Sequence, residues 1–235
     1  MRFDSLRDIF YQFTTRDFGA NLAFHVGDDI DAVHTNHTFL ANRLGYKKDA
    51  LVHMKQIHSN IVHIVNNQDN FDTPPTCDAL VTNKKNIPLM VMVADCTPIL
   101  FYDPTCKAIG VAHAGREGTF ENIVANVIET MKSEYGSKTE DILISIGSAI
   151  GVCCYEVGAE IYKQAKEKFS YAFELRDHRY YLDINKILLS QLKECGIKEE
   201  HIENEGICTA CNTKRYFSYR AEGKTGRFAG ILMLK

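Results

Sequence analysis

Three short stretches combine residue types that do chemistry: Gln56-Ile57-His58, Ala94-Asp95-Cys96 and Ala112-His113-Ala114-Gly115. Each sets a soft metal ligand, or a nucleophile type, at the edge of an apolar run. Two histidines and one cysteine form a donor set for a transition metal. Three protein ligands with a fourth position open are the pattern of a catalytic rather than a structural zinc. Taken singly, each of His58, Cys96 and His113 reads as a packed core residue, since free cysteine is among the most buried residue types. Asp95 could hydrogen-bond a ligand histidine, act as general acid or base, or cap a turn.

The flanking elements decide whether these residues meet. Pro88 to Ala94 reads as a fully buried strand. Ile99-Leu100-Phe101-Tyr102 and Ala108 to Ala112 read as the arms of a hairpin, with Asp103-Pro104 supplying the turn. A strand ending at Ala112 runs back toward the start of the strand beginning at Ile99, so Cys96 and His113 are expected at the same end of adjacent strands. Beyond Gly115 and Gly118, apolar residues from Phe120 to Tyr135 recur at helical spacing, with Thr119 as N-cap and Gly136 as stop. That helix start would favour an anion near His113.

Elsewhere the patterning predicts helices over Asp31–Leu44, Gly158–Phe169 and Asp183–Cys195. Strands are predicted at Leu51–Met54, Ile61–Val65, Asp141–Ile146, Tyr216–Tyr219 and Phe228–Leu234. Strands and helices mix without strict alternation, so the fold class is α+β or mixed α/β.

The 235 residues allow one large domain or two small ones. Hydrophobic residues are 45%, charged residues 24% and the net charge is -3, an ordinary globular balance with no basic excess for nucleic acid or a membrane surface. The N-terminus carries charges where the apolar part of a leader should begin, and no apolar run is long enough to span a bilayer, so a cytoplasmic location is expected. On that expectation the eight cysteines are reduced. Cys208-Thr209-Ala210-Cys211 is a lone C-x-x-C, a weak signal. The adjacent Cys153-Cys154 does not supply the second spaced pair of a zinc site, so all four read as structural thiols. Arg220 and Arg227, with the aromatics of Tyr216-Phe217-Ser218-Tyr219, could hold a phosphate and stack a base, or form an ordinary strand and turn.

The chain resembles the multicopper polyphenol oxidoreductase, or laccase-domain, family. The matching elements are Gln56-Ile57-His58, Ala94-Asp95-Cys96-Thr97-Pro98, His113-Ala114-Gly115-Arg116-Glu117-Gly118, Cys154-Tyr155-Glu156-Val157, Phe217-Ser218-Tyr219-Arg220 and Thr225-Gly226-Arg227. Val26-Gly27-Asp28-Asp29 and Cys77-Asp78-Ala79-Leu80-Val81-Thr82 match as well, so the likeness covers nearly the whole chain in order. It implies a single domain over residues 1–235, α+β in class, with four layers, α/β/β/α, and mixed sheets. It implies a zinc ion held by His58, Cys96 and His113. It also implies phosphorolysis of adenosine, inosine and methylthioadenosine, and deamination of adenosine, with Asp95 beside the ligands. Some relatives are instead assigned to editing peptidoglycan precursors.

Two departures stand out. The family's Trp-Arg after His-Ala-Gly is Arg116-Glu117, and its Gly-Pro is Gly147-Ser148. Glu117 repels an anion that an arginine there would hold, leaving Arg116, Arg220 and Arg227 as candidates for phosphate or ribose, beside Gly115. A multicopper oxidase needs roughly ten histidines among its ligands, typically in His-x-His pairs. This chain has nine histidines in all and no such pair. One mononuclear site is the most it can build, although copper could occupy that site in place of zinc. A metal-free reading uses Cys96 as nucleophile with His113 or His58 as base. The partners expected are a purine nucleoside and phosphate, with no nucleic acid and no membrane.

Overall fold

In chain order the elements are β1 (Ile9–Phe13), α1 (Ile30–Leu44), β2 (Val62–Ile64), β3 (Ala79–Thr82), β4 (Leu89–Val93), β5 (Thr97–Asp103), β6 (Ala108–Ala114), α2 (Arg116–Phe120), α3 (Ile123–Tyr135) and β7 (Leu143–Ile146). They continue with β8 (Glu156–Val157), α4 (Ala159–Phe169), β9 (Phe173–Arg176), β10 (Arg179–Leu182), α5 (Ile184–Glu194), β11 (Ile202–Asn204), α6 (Tyr219–Glu222) and β12 (Phe228–Leu234). The computed structural model describes residues 3–235; Met1 and Arg2, which open the charged N-terminal run, lie outside them.

The strands form a six-stranded sheet, β11-β7-β5-β6-β3-β2, a three-stranded sheet, β1-β12-β4, and a small sheet, β8-β10-β9. Alternation along the strands sets the layers, because successive side chains point to opposite faces. In β5, Ile99 and Phe101 pack with α3, α4 and α5, whereas Leu100 and Tyr102 pack against the three-stranded sheet. In β4, Leu89, Val91 and Val93 face that same inter-sheet core, whereas Met90 and Met92 face Leu40 and Ala41 of α1. The result is α/β/β/α, the four-layer α+β fold implied by the family resemblance. Small residues on the helix-facing side of β6, Ala108, Gly110, Ala112 and Ala114, let α3 approach; a Cβ on Gly110 would meet a Val127 methyl at 3.3 Å. No helix is long and apolar enough to cross a membrane among the described residues.

This arrangement positions the candidate ligands. β4 belongs to the three-stranded sheet and β5 to the six-stranded one, so Ala94-Asp95-Cys96 is the corner where the chain changes sheets. The predicted hairpin is present, with Thr97 opposite Ala114 and Pro98 opposite His113. His113 shares the parity of Ile109 and Val111, so it projects toward the inter-sheet side at the end where the corner lies.

Several predicted elements differ. The helix expected from Phe120 with Thr119 as N-cap is two helices. Thr119 lies buried inside α2, and α3 starts from Asn122, which adopts φ 60° and caps through its side chain to the Ala125 N–H. Leu51–Met54 contributes only an isolated bridge, Val52 to Leu89. Tyr216–Tyr219 is not a strand: Tyr216 is buried against the Phe228 ring at 5.2 Å, Phe217 is buried with the Arg16 guanidinium 4.0 Å over its ring, and Ser218 caps α6. β1 and the β9–β10 hairpin were not expected; β1 pairs antiparallel with β12 along its whole length.

His37 of α1 is fully buried, as the helical spacing with Val33 and Leu40 requires. Its Nε2–H donates to the Leu22 carbonyl at 2.8 Å, while Nδ1 is buried without a partner. Burial lowers its pKa to about 4, against the opposing effect of the Leu22 bond. The unfolded chain takes up this proton near pH 6.5 and the folded chain only near 4. The stabilisation from a neutral His37 is therefore full above pH 6.5 and is lost as pH falls toward 4, a change of up to about 3 kcal/mol. Urea unfolding midpoints across this range should fall for the wild type and fall measurably less for His37→Leu; parallel curves would exclude the effect.

Candidate metal centre and its cleft

A single carboxylate organises both histidines. Asp78 is fully buried at the entry to β3. It accepts the backbone N–H groups of Ile57 (3.2 Å), His58 (3.0 Å) and Ser59 (2.7 Å), the Ser59 hydroxyl (2.7 Å) and His113 Nδ1–H (2.8 Å). Those bonds hold the Ile57–Ser59 turn in a conformation that puts His58 at φ 62°, a region disfavoured for a side-chain-bearing residue and common at functional sites. Gln56 anchors the same turn from the other side: its amide donates to the Met92 carbonyl at 2.8 Å and accepts the Met92 N–H at 2.9 Å, continuing the ladder of β4.

An ionised carboxylate only accepts, so the bond to Asp78 requires the proton of neutral His113 to sit on Nδ1, which leaves Nε2 as a free ligand. This is the carboxylate–histidine support common behind metal-ligating histidines. His58 Nε2 lies 3.9 Å from Cys96 Sγ, and one ligand atom from each of His58, Cys96 and His113 lies within 4.8 Å of the others. Tetrahedral zinc, with bonds of about 2.3 Å to sulfur and about 2.0 Å to nitrogen, places such atoms roughly 3.5 Å apart, so the donor set fits a metal with small adjustment. A side chain at Gly115 would fill the space: its Cβ would stand 3.0 Å from the His58 ring and 3.2 Å from Cys96 Sγ.

The electrostatics favour ligand-competent forms. Burial by itself raises the Asp78 pKa, but the His113 and Ser59 donors outweigh it and hold the carboxylate at about 2. Burial likewise opposes charge on Cys96 and His113. Their mutual attraction prevails, lowering the thiol to about 6 and raising the imidazole to about 9, with Asp78 adding to the second. The pair is polarised as thiolate and imidazolium, and a metal cation can replace the shared proton.

The ligands open into a cleft also lined by His25, Tyr155, Arg116, Arg220 and Arg227. The three arginines differ. Arg116 is ion-paired with its neighbour Glu117. Arg220 donates to the Cys154 carbonyl at 3.1 Å and lies over the Tyr155 ring at 5.2 Å. Arg227 donates to the Thr225 and Gly226 carbonyls, at 2.9 and 3.0 Å, and its partial burial lowers its pKa. Neither Arg220 nor Arg227 has a carboxylate ion pair among the described residues. Asp95, at φ 90° in the corner, accepts the Thr209 hydroxyl and the Arg220 backbone N–H, both at 2.6 Å, so its two oxygens hold the strap that carries Arg220.

Thus His58, Cys96, His113, Asp95, Gly115, Arg116, Arg220 and Arg227 all line one cleft. Sequence reasoning missed Asp78, Tyr155 and His25. For Asp78 the signal was an acid at the mouth of an otherwise apolar run, Ala79-Leu80-Val81. The long helix start expected beside His113 is instead the single turn of α2. Ser148 in place of proline is accommodated: its N–H and hydroxyl both donate to Glu205, a backbone bond proline could not make. The sequence reading of structural thiols did not join these residues in space; the structure brings one sulfur from each of Cys153, Cys154, Cys208 and Cys211 within 4.8 Å of the others.

Comparison with known proteins agrees with this geometry. The family described as multi-copper polyphenol oxidoreductase laccase matches residues 13–235. A purine nucleoside phosphorylase of Corynebacterium glutamicum is 36% identical, over 94% of this chain and 93% of its own. The human purine nucleoside phosphorylase LACC1 is 30% identical over 86% of this chain, which corresponds to 48% of the human protein. Among solved structures, YfiH of Bacillus licheniformis superposes with a TM-score of 0.91 at 31% identity, covering 97% of this chain and 93% of that one. YlmD of Geobacillus stearothermophilus gives 0.89 at 29% identity, covering 97% and 92%. With its four layers, its His-Cys-His cluster and these similarities, the chain belongs to the multi-copper polyphenol oxidoreductase laccase family, whose members here include proteins named purine nucleoside phosphorylases.

Proposed function

We propose that this chain is a zinc-dependent purine nucleoside enzyme that phosphorolyses adenosine, inosine and methylthioadenosine and deaminates adenosine. The observation that carries the reading is the His58, Cys96 and His113 cluster opening into a cleft with two arginines that form no carboxylate ion pair among the described residues. The similarity to purine nucleoside phosphorylases supports it. His58, Cys96 and His113 hold the metal, which when bound supplies a Lewis acid and lowers the pKa of coordinated water. The scarcity of histidines weighs for one zinc and against a copper cluster.

The protein's own residues bind and orient. Phosphorolysis moves a ribosyl group from a purine nitrogen to a phosphate oxygen, so the site must capture an anion beside the sugar. Arg220 and Arg227 do this, because neither stands in an ion pair with a carboxylate among the described residues and arginine matches phosphate in a bidentate fork. Arg116, already paired with Glu117, contributes little to phosphate and faces the ribose hydroxyls. The Tyr155 ring, backed by Arg220, gives the purine a face to stack on. Asp95 positions Arg220 through its backbone, and Gly115 keeps the space between the ligands clear.

The test is to incubate the purified protein with adenosine and inosine, each with and without phosphate, and to separate the products by chromatography. Adenosine should give adenine only when phosphate is present and inosine without it; no product from either nucleoside would overturn the reading. Arg220→Ala and Arg227→Ala should each reduce phosphorolysis by about 10–100-fold, the loss of a charge-assisted hydrogen bond, and leave deamination largely intact. Asp78→Asn should weaken zinc binding by about 10–100-fold in competition with a chromophoric chelator, because His113 loses its orienting acceptor. Unchanged affinity would show that the carboxylate does not support the ligand.

A further inference from the structure

The second cluster lies where the chain turns at Val152-Cys153-Cys154 and meets the turn at Cys208–Cys211. Three observations set these cysteines apart from core filler. First, Cys153 and Cys211 are exposed and Cys154 and Cys208 half-buried, although free cysteine used for packing is among the most buried residue types. Second, the sulfurs are spaced as ligands. Cys154 and Cys211 Sγ are 3.3 Å apart, Cys153 and Cys211 Sγ are 3.6 Å apart, and all four lie within 4.8 Å. A tetrahedral ion with metal–sulfur bonds of about 2.3 Å sets its sulfurs roughly 3.8 Å apart, whereas a disulfide brings two of them to about 2 Å. Third, the surrounding backbone is shaped for a thiolate. The Gly151 N–H donates to Cys208 Sγ at 3.2 Å, and a Cβ on Gly151 would stand 3.2 Å from both Cys153 Sγ and Cys208 Cβ.

We infer that Cys153, Cys154, Cys208 and Cys211 form a second, closed metal site that binds one zinc ion through four thiolates, separate from the His58, Cys96 and His113 centre. A four-sulfur tetrahedral set selects zinc or iron, and with every position filled by protein the ion is structural rather than catalytic. Binding releases the thiol protons and forms four metal–sulfur bonds, with no change in oxidation state. The adjacent cysteines both reach the ion because the turn between Gly151 and Tyr155 points them to the same side, which spacing rules for C-x-x-C pairs do not anticipate.

The place of the site gives the ion a task. It ties the segment bearing Tyr155 to the segment bearing Thr209. The Cys154 carbonyl accepts from Arg220, and the Thr209 hydroxyl donates to Asp95, the residue before Cys96. The ion therefore staples the loop that brings Tyr155 to the cleft to the loop whose Thr209 holds Asp95. It is a positioning element, and it depends on no assumption about the reaction.

Metal content by mass spectrometry of the protein, expressed with zinc and purified under reducing conditions, tests the inference. The wild type should carry about two zinc ions per chain, Cys96→Ala about one, Cys211→Ser about one, and the double variant none. Loss of zinc in Cys96→Ala alone tests the first centre, and loss in Cys211→Ser alone tests the second, so the two fail separately. A measurement on the wild type avoids dependence on the folding of a variant: alkylation followed by peptide mass mapping should find Cys153, Cys154, Cys208 and Cys211 protected until a chelator is added, with Cys106 reactive throughout. A wild type with a single zinc that Cys211→Ser retains, iron in place of zinc at the four thiols, or disulfides among the four would each overturn the assignment.

Discussion

The candidate centre depends on the buried carboxylate of Asp78. An ionised group with no solvent around it is tolerated only when its oxygens are fully engaged, and here three backbone N–H groups, a hydroxyl and an imidazole engage them. The same bonds do two things at once. They fold the Ile57–Ser59 turn so that His58 faces Cys96 and His113, and they fix His113 in the tautomer that leaves Nε2 available. One ion thus joins a loop and a strand that are far apart in sequence. The desolvation cost of burying the charge is offset by these donors.

The third ligand comes from a different constraint. Two stacked sheets need a chain crossing, and Ala94-Asp95-Cys96 is that crossing, leaving β4 in one sheet and entering β5 in the other. A crossing at the end of a sheet sandwich lies at an edge where side chains can be reached from solvent. The hairpin partner β6 ends beside it, so His113 arrives at the same edge. Gly115 follows where a Cβ would crowd both His58 and Cys96. The cleft is therefore built from the ends of strands, which the packed core behind them holds still.

The arginines separate this chain from its family's pattern. Where a Trp-Arg pair is expected, Arg116 and Glu117 form an ion pair with each other. Such a partly exposed pair adds little stability. Its consequence is for charge: one guanidinium is paired at the cleft, whereas Arg220 and Arg227 stand in no carboxylate ion pair among the described residues. Ser148 shows a different kind of departure, in which a proline is replaced and the new N–H is used at once by Glu205.

The sequence by itself determined much of this. The alternating and continuous apolar runs marked β4, β5, β6 and β12; the helical spacing marked α1, α4 and α5; and the turn chemistry at Asp103-Pro104 placed Cys96 next to His113 before any contact was known. These features are local, and local periodicity is what backbone geometry reads directly. The layer order came from resemblance rather than periodicity. The tertiary structure alone decided what depends on contacts between distant segments. Asn122 in a left-handed conformation split one helical pattern into two. Ring packing on Phe228 buried Tyr216 without a ladder. Asp78, an ordinary acid in the sequence, became the hub of both histidines. Four cysteines that no spacing rule joins were brought together by two turns. A side chain's role in a site is set by which donors and acceptors surround it, and those neighbours are chosen by the packing of whole layers, which no short stretch of sequence contains.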